Sequence, residues 1–388
     1  MRLFWIIIIC QTLFSIALRG SRPIVSLYAD VIGASTLFIG LLIASFAFLP
    51  MLVAIQAGKW LDYYGAKKMT IIGGTGMLIS LALPVWIPTL PVLFINQLLI
   101  GISHVCVLIS LQKTIGNLDG NRDKLIASFS IAGALGEFLG PLSTGFLYEN
   151  AGFQWTFFIM ALTVIAGVIC IFFATITDQA KIVEKESHIN NGTWRLLKEA
   201  NLRNALIISG LVLYSKDLFI GYFPVYGNSI GLSPSEIGIV ISMLSAIAVV
   251  IRFLQFILVQ HFGRSMLMMV TLIISGIAFL FIPLTENFII LMLLSCLLGV
   301  GLGLGQPLSI VYTLNVSDPK RHGEVLGLRL TFNRGSQFIA PFIFGIIGQV
   351  GGMIAAFGVS GIFLLIGSYF TRMKDDDSSS SDSREGKK

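Results

Sequence analysis

Polar and charged residues set into long apolar runs are the part of this sequence able to do chemistry. Residues 4–28 carry Gln11, Ser15, Arg19, Arg22 and Ser26, three or four positions apart, so a helix presents all five on one face. Arg19 lies about 22 Å along that helix from Phe4 at 1.5 Å per residue. Arg329, Asn333 and Ser336 make a second line, and Arg334 with Gln337 a third. Lys216 and Asp217 sit side by side in the middle of another run, where neighbouring side chains diverge by about 100°. Gln97 and His104 share a helix face with Gly101 between them. Charges at membrane depth are costly and ordinarily face a cavity, water or one another.

Arg19, Arg22, Lys216, Arg252, Arg329 and Arg334 are set against only Glu137 and Asp217 in the interior of the apolar runs, the remaining acids standing at their ends or in the loops. Unpaired positive charge in low dielectric needs water or an anion to offset it. An arginine fork matches carboxylate or phosphate geometry. The candidate substrate contacts are therefore Arg19, Arg22, Ser15, Ser26, Gln97, His104, Lys216, Arg329, Asn333 and Arg334, around a cavity suited to an anionic or zwitterionic molecule. Glu137 and Asp217 are candidate proton carriers, since burial moves a carboxyl toward neutrality. Three competing readings stand beside these. Arg19 and Arg22 snorkel to the interface, His104 is a hydrogen-bonded packing residue, and the two acids stay ionised in structural pairs. Arg252, near the end of its run, is read as snorkelling.

The elements that position these groups follow from composition. Of 388 residues, 55% are hydrophobic and 12% charged, with mean hydropathy +0.87. A soluble domain carries about a quarter charged residues, so the chain is read as an integral membrane protein. The formal charge of +6 is scattered over short loops, which excludes a basic nucleic-acid face. Cys10, Cys106, Cys170 and Cys296 lie singly inside apolar runs with no C-x-x-C pair, so neither disulfides nor a metal site is expected. No cofactor is implied. Gly299, Gly301, Gly303 and Gly305 lack the lysine-serine/threonine ending of a phosphate loop and are read as softening their helix ahead of Gln306-Pro307.

A bilayer span takes about 20 mostly apolar residues. Twelve such segments fall near 4–28, 36–57, 69–88, 91–114, 125–149, 153–177, 204–227, 235–260, 265–284, 288–314, 324–348 and 351–372. The first, behind Met1-Arg2, is read as a spanning helix and not a cleaved signal, because it completes an even set. Apart from the six cations named above, the lysines and arginines fall on one alternate set of loops and ends, which the positive-inside rule makes cytoplasmic. Both termini are then cytoplasmic. The expected organisation is a six-helix bundle over 1–177, a cytoplasmic linker over 178–203, a second six-helix bundle over 204–372 and a disordered tail over 373–388. Trp194, Leu197 and Ala200 with Arg195 and Lys198 form either a short interfacial helix or a solvated linker.

The halves echo one another. Phe138-Leu139-Gly140-Pro141 and Gly145 reappear as Phe338-Ile339-Ala340-Pro341 and Gly345, Gly101 as Gly301, and Gly152 as Gly352. The charged turn Gly58-Lys59-Trp60-Leu61-Asp62-Tyr63-Tyr64-Gly65-Ala66-Lys67-Lys68 has a weaker echo in Gln260-His261-Phe262-Gly263-Arg264.

That turn, with Gly58, Asp62, Gly65, Lys67 and Lys68, resembles the helix 2–3 loop of the major facilitator superfamily. Gly136-Glu137-Phe138-Leu139-Gly140-Pro141-Leu142-Ser143-Thr144-Gly145 resembles the G-x-x-x-G-P-x-x-G-G signature of its drug and metabolite:proton antiporters, with Thr144 in place of the penultimate glycine. The resemblance implies an all-α fold of twelve transmembrane helices in two pseudo-symmetric bundles, with the substrate site between them. It also implies that Asp62 engages the start of helix 11 near Gly323 and a basic group, Lys113, at the inner end of helix 4. Gln97 stands where that branch carries an arginine, so a proton-coupling role tied to that arginine is not carried over.

The expected function is that of a monomeric, proton-coupled carrier of the cell (inner) membrane. It would export an anionic or zwitterionic drug or metabolite, such as a metallophore, by alternating access, with the lipid bilayer, protons and a small molecule as its partners and no nucleic acid. Two rivals stand: an importer of an organic anion driven by protons or exchange, and a non-transporting membrane sensor. No enzyme signature is present.

Overall fold

The computed structural model describes residues 2–176, 199–315, 317 and 322–370. Most of the expected linker over 178–203, with the possible interfacial helix at Trp194–Lys198, lies outside the described residues, as does the tail over 373–388. Ten helices make up the described chain, each long and apolar enough to cross a membrane. They are α1 (Arg2–Val31), α2 (Thr36–Tyr64), α3 (Ala66–Trp86), α4 (Leu90–Gly116), α5 (Arg122–Phe172), α6 (Ala200–Ser229), α7 (Pro234–Phe262), α8 (Arg264–Phe281), α9 (Phe288–Asn315) and α10 (His322–Phe370).

Two of these are compound. α5 has 51 residues, which as a straight rod would run about 77 Å, more than twice the roughly 30 Å of bilayer hydrocarbon. Gly152, at φ 79° and ψ −179°, breaks it. Gly352, at φ 72°, breaks α10 in the same way. The expected spans 125–149 and 153–177 are thus the two limbs of α5, and 324–348 and 351–372 the two limbs of α10. Each pair is joined by a single residue whose positive φ only glycine adopts without strain.

The expected charged turn over 58–68 requires correction for the same reason. Residues 58–64 continue α2 and 66–68 open α3, so Gly65 alone, at φ 81°, turns the chain. The charged residues lengthen the helices beyond the apolar part of the sequence. Gly263, at φ 75°, joins α7 to α8 by the same device. Ser35 caps α2 by accepting from Phe38 N at 3.4 Å. Ser233 caps α7 through a reciprocal box with Glu236, which accepts from Ser233 N at 2.8 Å.

The packing repeats as the joints do. In the first half α1 lies on α5, α3 on α4 and α5, and α2 on α4; in the second, α6 lies on α10, α8 on α9 and α10, and α7 on α9. Across the seam, α2 meets α10 and α5 meets α7. α9 is continuous through Gly299, Gly301, Gly303 and Gly305. They let it approach its neighbours: a Cβ on Gly299 would stand 2.6 Å from Leu244 O, and one on Gly303 2.7 Å from Ala248 Cα.

The seam is tight at the end that holds the joints after α1, α6 and the first limbs of α5 and α10. A Cβ on Gly238 would stand 2.5 Å from Pro141 O, one on Gly145 2.5 Å from Pro234 O, and one on Gly40 2.5 Å from Pro341 O. Tyr222, fully buried in α6, donates to the same Pro341 O at 2.7 Å. Asn228 Nδ2 donates to Asp30 Oδ2 at 2.8 Å, and Ser235 N to Glu149 Oε2 at 3.0 Å.

Candidate substrate and proton site

Close approach of α1 and α5 sets up the site. Gly20 and Gly140 face each other, and a Cβ on Gly140 would stand 2.7 Å from Gly20 N. Gly136 lies against Ser15. Thr144 Oγ1 donates to Gly20 O at 3.0 Å, so the residue that departs from the family signature bonds the two helices together. Small residues at this spacing let backbones meet, and the meeting carries Arg19 to Glu137.

Glu137 is held from both halves. Its Oε1 pairs with Arg19 Nη2 at 2.9 Å and its Oε2 with Lys216 Nζ, on α6, at 2.8 Å. One turn deeper, Arg22 Nη1 pairs with Asp217 Oδ1 at 2.9 Å, both side chains at least 95% buried. The Arg22 guanidinium also lies 4.3 Å from the centre of the Phe46 ring, a favourable cation–π distance. Gln337 Nε2 donates to the other Asp217 oxygen and its Oε1 accepts from Arg334 Nη1 at 3.0 Å. Adjacent residues of α6 thus reach different partners, Lys216 to α5 and Asp217 to α1 and α10. Neither Arg19 nor Arg22 snorkels; both turn onto interior carboxylates.

Gln11, Ser15, Arg19, His104, Glu137 and Arg252 line a cavity of about 170 Å³, floored by Ser130, Gly133 and Ala134 of α5. Gln11 Nε2 donates to Ser15 Oγ at 3.2 Å. Beyond Arg22, toward the tight end of the seam, Ser26 and Gln97 border a separate void of about 10 Å³. Gln97 is anchored there by donating to Asn96 Oδ1 at 2.9 Å, and Asn96 in turn donates to Ser80 O at 2.8 Å.

Two expected substrate contacts stand apart. Arg329 donates to Gln306 Oε1 at 2.6 Å and Ser309 Oγ at 3.1 Å, and Asn333 Oδ1 accepts from Ser209 Oγ at 2.8 Å. Both belong to a buried polar cluster inside the second half and neither lines the cavity. Arg252 requires the opposite correction. It donates through Nε to Gly303 O at 3.0 Å and forms part of the cavity wall. Its line with Ser242 and Ser245 along α7 was the available signal: Ser242 Oγ donates to Phe138 O across the seam at 2.8 Å. Gln337, noted only as a neighbour of Arg334, is the amide that ties Arg334 to Asp217.

In the loop motif, Lys113 Nζ pairs with Asp62 Oδ1 at 2.7 Å, both partly exposed. Lys67 Nζ donates to Ala174 O at 2.8 Å. Lys68 is exposed, and the surroundings of Gly58 are open. Gly323, the expected neighbour of Asp62, stands in the first turn of α10; the side-chain surroundings of that turn lie outside the description.

The profile of the Major Facilitator Superfamily matches residues 7–256 and again 205–388. The chain belongs to the Major Facilitator Superfamily. Multidrug resistance protein 2 of Bacillus subtilis is 23% identical over 344 residues, 84% of this chain and 83% of that protein. Quinolone resistance protein NorA of Staphylococcus aureus is 23% identical over 338 residues, 84% of this chain and 85% of its own. Among solved structures, the nucleoside transporter NupG superposes with a TM-score of 0.81 at 15% identity, covering 96% of this chain and 98% of NupG. A D-xylose-proton symporter does so with 0.78 at 13% identity, covering 95% and 96%. This superfamily member is a multi-pass membrane protein, with the fold and relatives of transporters and not of enzymes.

Proposed function

We propose that this chain is a proton-coupled exporter of a small anionic or zwitterionic organic molecule. It would cross the membrane twelve times as two rocking six-helix bundles, 1–177 and 204–372, act as a monomer and keep both termini in the cytoplasm. The observation that carries the reading is Glu137, a single carboxylate gripping Arg19 of its own half and Lys216 of the other. Asp217 repeats the arrangement with Arg22. A proton arriving on either acid removes the negative charge that binds the halves together, which couples protonation to rocking. The cavity reaches Arg19, Glu137 and Arg252 while the seam is tight at the opposite end, as suits a carrier facing the cytoplasm. Relatives named for multidrug and quinolone resistance support export.

A zwitterion fits exchange directly. Its cationic group would take the place of Lys216 on ionised Glu137, so cargo and proton exclude one another, and its anionic group would rest on the surrounding guanidinium groups. A purely anionic cargo favours a second reading. Protonating Glu137 releases Arg19 and Lys216 together, so proton and anion would bind together and travel the same way, as in an importer. Proton movement on binding separates the two. Purified carrier in weakly buffered solution should release protons when cargo binds if it exchanges, and take them up if it cotransports. Flux in liposomes, with and without an inward proton gradient, tests coupling itself; gradient-independent flux would end the proposal.

A further inference from the structure

Most cations near the cavity are already engaged. Arg19 and Lys216 share Glu137, Arg22 holds Asp217, and Arg334 is tied to Asp217 through Gln337. Arg252 differs. Its recorded bond runs from Nε to the backbone carbonyl of Gly303, and none of the described carboxylates forms an ion pair with it. It nonetheless lines the same cavity as Glu137 and Arg19. Arg252 lies about 27 Å along α7 from Pro234 at 1.5 Å per residue, below the point where Ser242 ties α7 to α5. The Nε–H bond to a carbonyl fixes the plane of the guanidinium, which leaves the terminal nitrogens as an oriented fork.

The neighbours of Arg252 on α7 add a chemical constraint. Phe256, one turn on, and Phe253 are 70% and 72% exposed, so the cation stands where the polar cavity meets an apolar helix face. We infer that Arg252 is the cavity's anion anchor, a specificity-determining residue for amphipathic organic anions whose acidic head takes the fork while the apolar body lies toward Phe256. The assignment rests on the charge class proposed above and deepens it. An anion on Arg252 breaks none of the existing ion pairs, so docking does not require Glu137 to be protonated first.

Pyrenebutyrate and its neutral amide provide a matched pair of probes, titrated against purified full-length carrier in nanodiscs with empty discs subtracted. The wild type should prefer the carboxylate. Arg252→Gln should weaken carboxylate binding about tenfold, the usual effect of losing a charge-assisted hydrogen bond, and leave the amide unchanged. Arg252→Lys, which keeps the charge but not the fork, should restore part of the preference, which a merely structural role would not predict. Arg252→Met is the replacement variant if Arg252→Gln is not recovered folded. Equal carboxylate affinity in wild type and in these variants, or a parallel loss for the amide, overturns the anchor alone. A wild type that does not bind the carboxylate overturns both the anchor and the proposed charge class.

Discussion

Lys216 Nζ reaches Glu137 Oε2 at 2.8 Å across the seam between the two halves, so a carboxylate of α5 is fastened to the helix at the heart of the opposite half. Arg19 occupies the other oxygen of the same group. The charge state of Glu137 therefore bears on the attachment of one half to the other.

Replacing Glu137 by Gln keeps the shape and removes the charge. Gradient-driven flux should fall at least tenfold, to the level seen without a gradient, while the protein still folds. Counterflow of cargo between equal-pH compartments should persist. A Glu137→Gln protein that still concentrates cargo against its gradient would remove Glu137 from the coupling step.

Among the described residues Arg22 and Asp217 form the most deeply buried ion pair, and breaking such a pair from one side leaves an uncompensated charge, at a cost of about 3–5 kcal/mol. Asp217→Asn and Arg22→Met should each lower the thermal unfolding midpoint substantially. The double variant should lose clearly less than the sum of the two, because no orphan charge remains. Additive losses in a double-mutant cycle would show that the two groups do not depend on each other.

Gly140 meets Gly20 backbone to backbone, so Gly140→Val must push α1 away from α5 and carry Arg19 off Glu137. Loss of folded protein or of proton-dependent flux is expected, whereas Leu139→Val, on an exposed face next door, should be silent. Thr144→Gly, which restores the family residue, should still destabilise by about 1 kcal/mol by deleting the bond to Gly20 O. Melting curves of the three variants decide the matter.

Asp62 and Lys113 make an ion pair with Asp62 69% exposed, and exposed pairs contribute less than about 1 kcal/mol. Asp62→Asn should therefore leave the melting midpoint nearly unchanged while altering the transport rate. A large fall in stability would reassign the motif from gating to folding.

At the tight end, Asp30 and Asn228 join the halves at 2.8 Å. A cysteine pair at these positions should oxidise readily and stop transport, and reduction should restore it. Transport that survives a completed cross-link would exclude rocking about this end.

How much of this was legible beforehand depends on range. The polar face of α1 follows from a spacing of three and four, which is local, and so do the apolar spans and the split of basic residues between loops. The capture of Glu137 by Arg19 follows from glycine positions on two helices more than a hundred residues apart, where sequence gives the small residues but not which ones meet. The divergence of Lys216 and Asp217 by about 100° is local and legible; the partners each finds, on α5 and on α1 and α10, depend on helices far away in sequence. Arg252 read as a snorkelling residue because it lies near the end of its run; it is exposed, yet its Nε reaches a carbonyl of α9 and the side chain forms part of the cavity wall. Gly65 was hidden inside a run of charges that looks like a loop and is helix on both sides.

The tight end of the seam is made of backbone resting on backbone at Gly40 with Pro341 and at Gly238 with Pro141. Such faces hold no counterion to be screened and no room for solvent to creep in by degrees. Parting them by the first ångström already forfeits about a quarter to a half of their dispersion contact, so the obstacle is met early in the movement. The consequence is a snap action: the molecule should dwell in one posture or the other, with hardly any time spent ajar, and so leak little between the two sides.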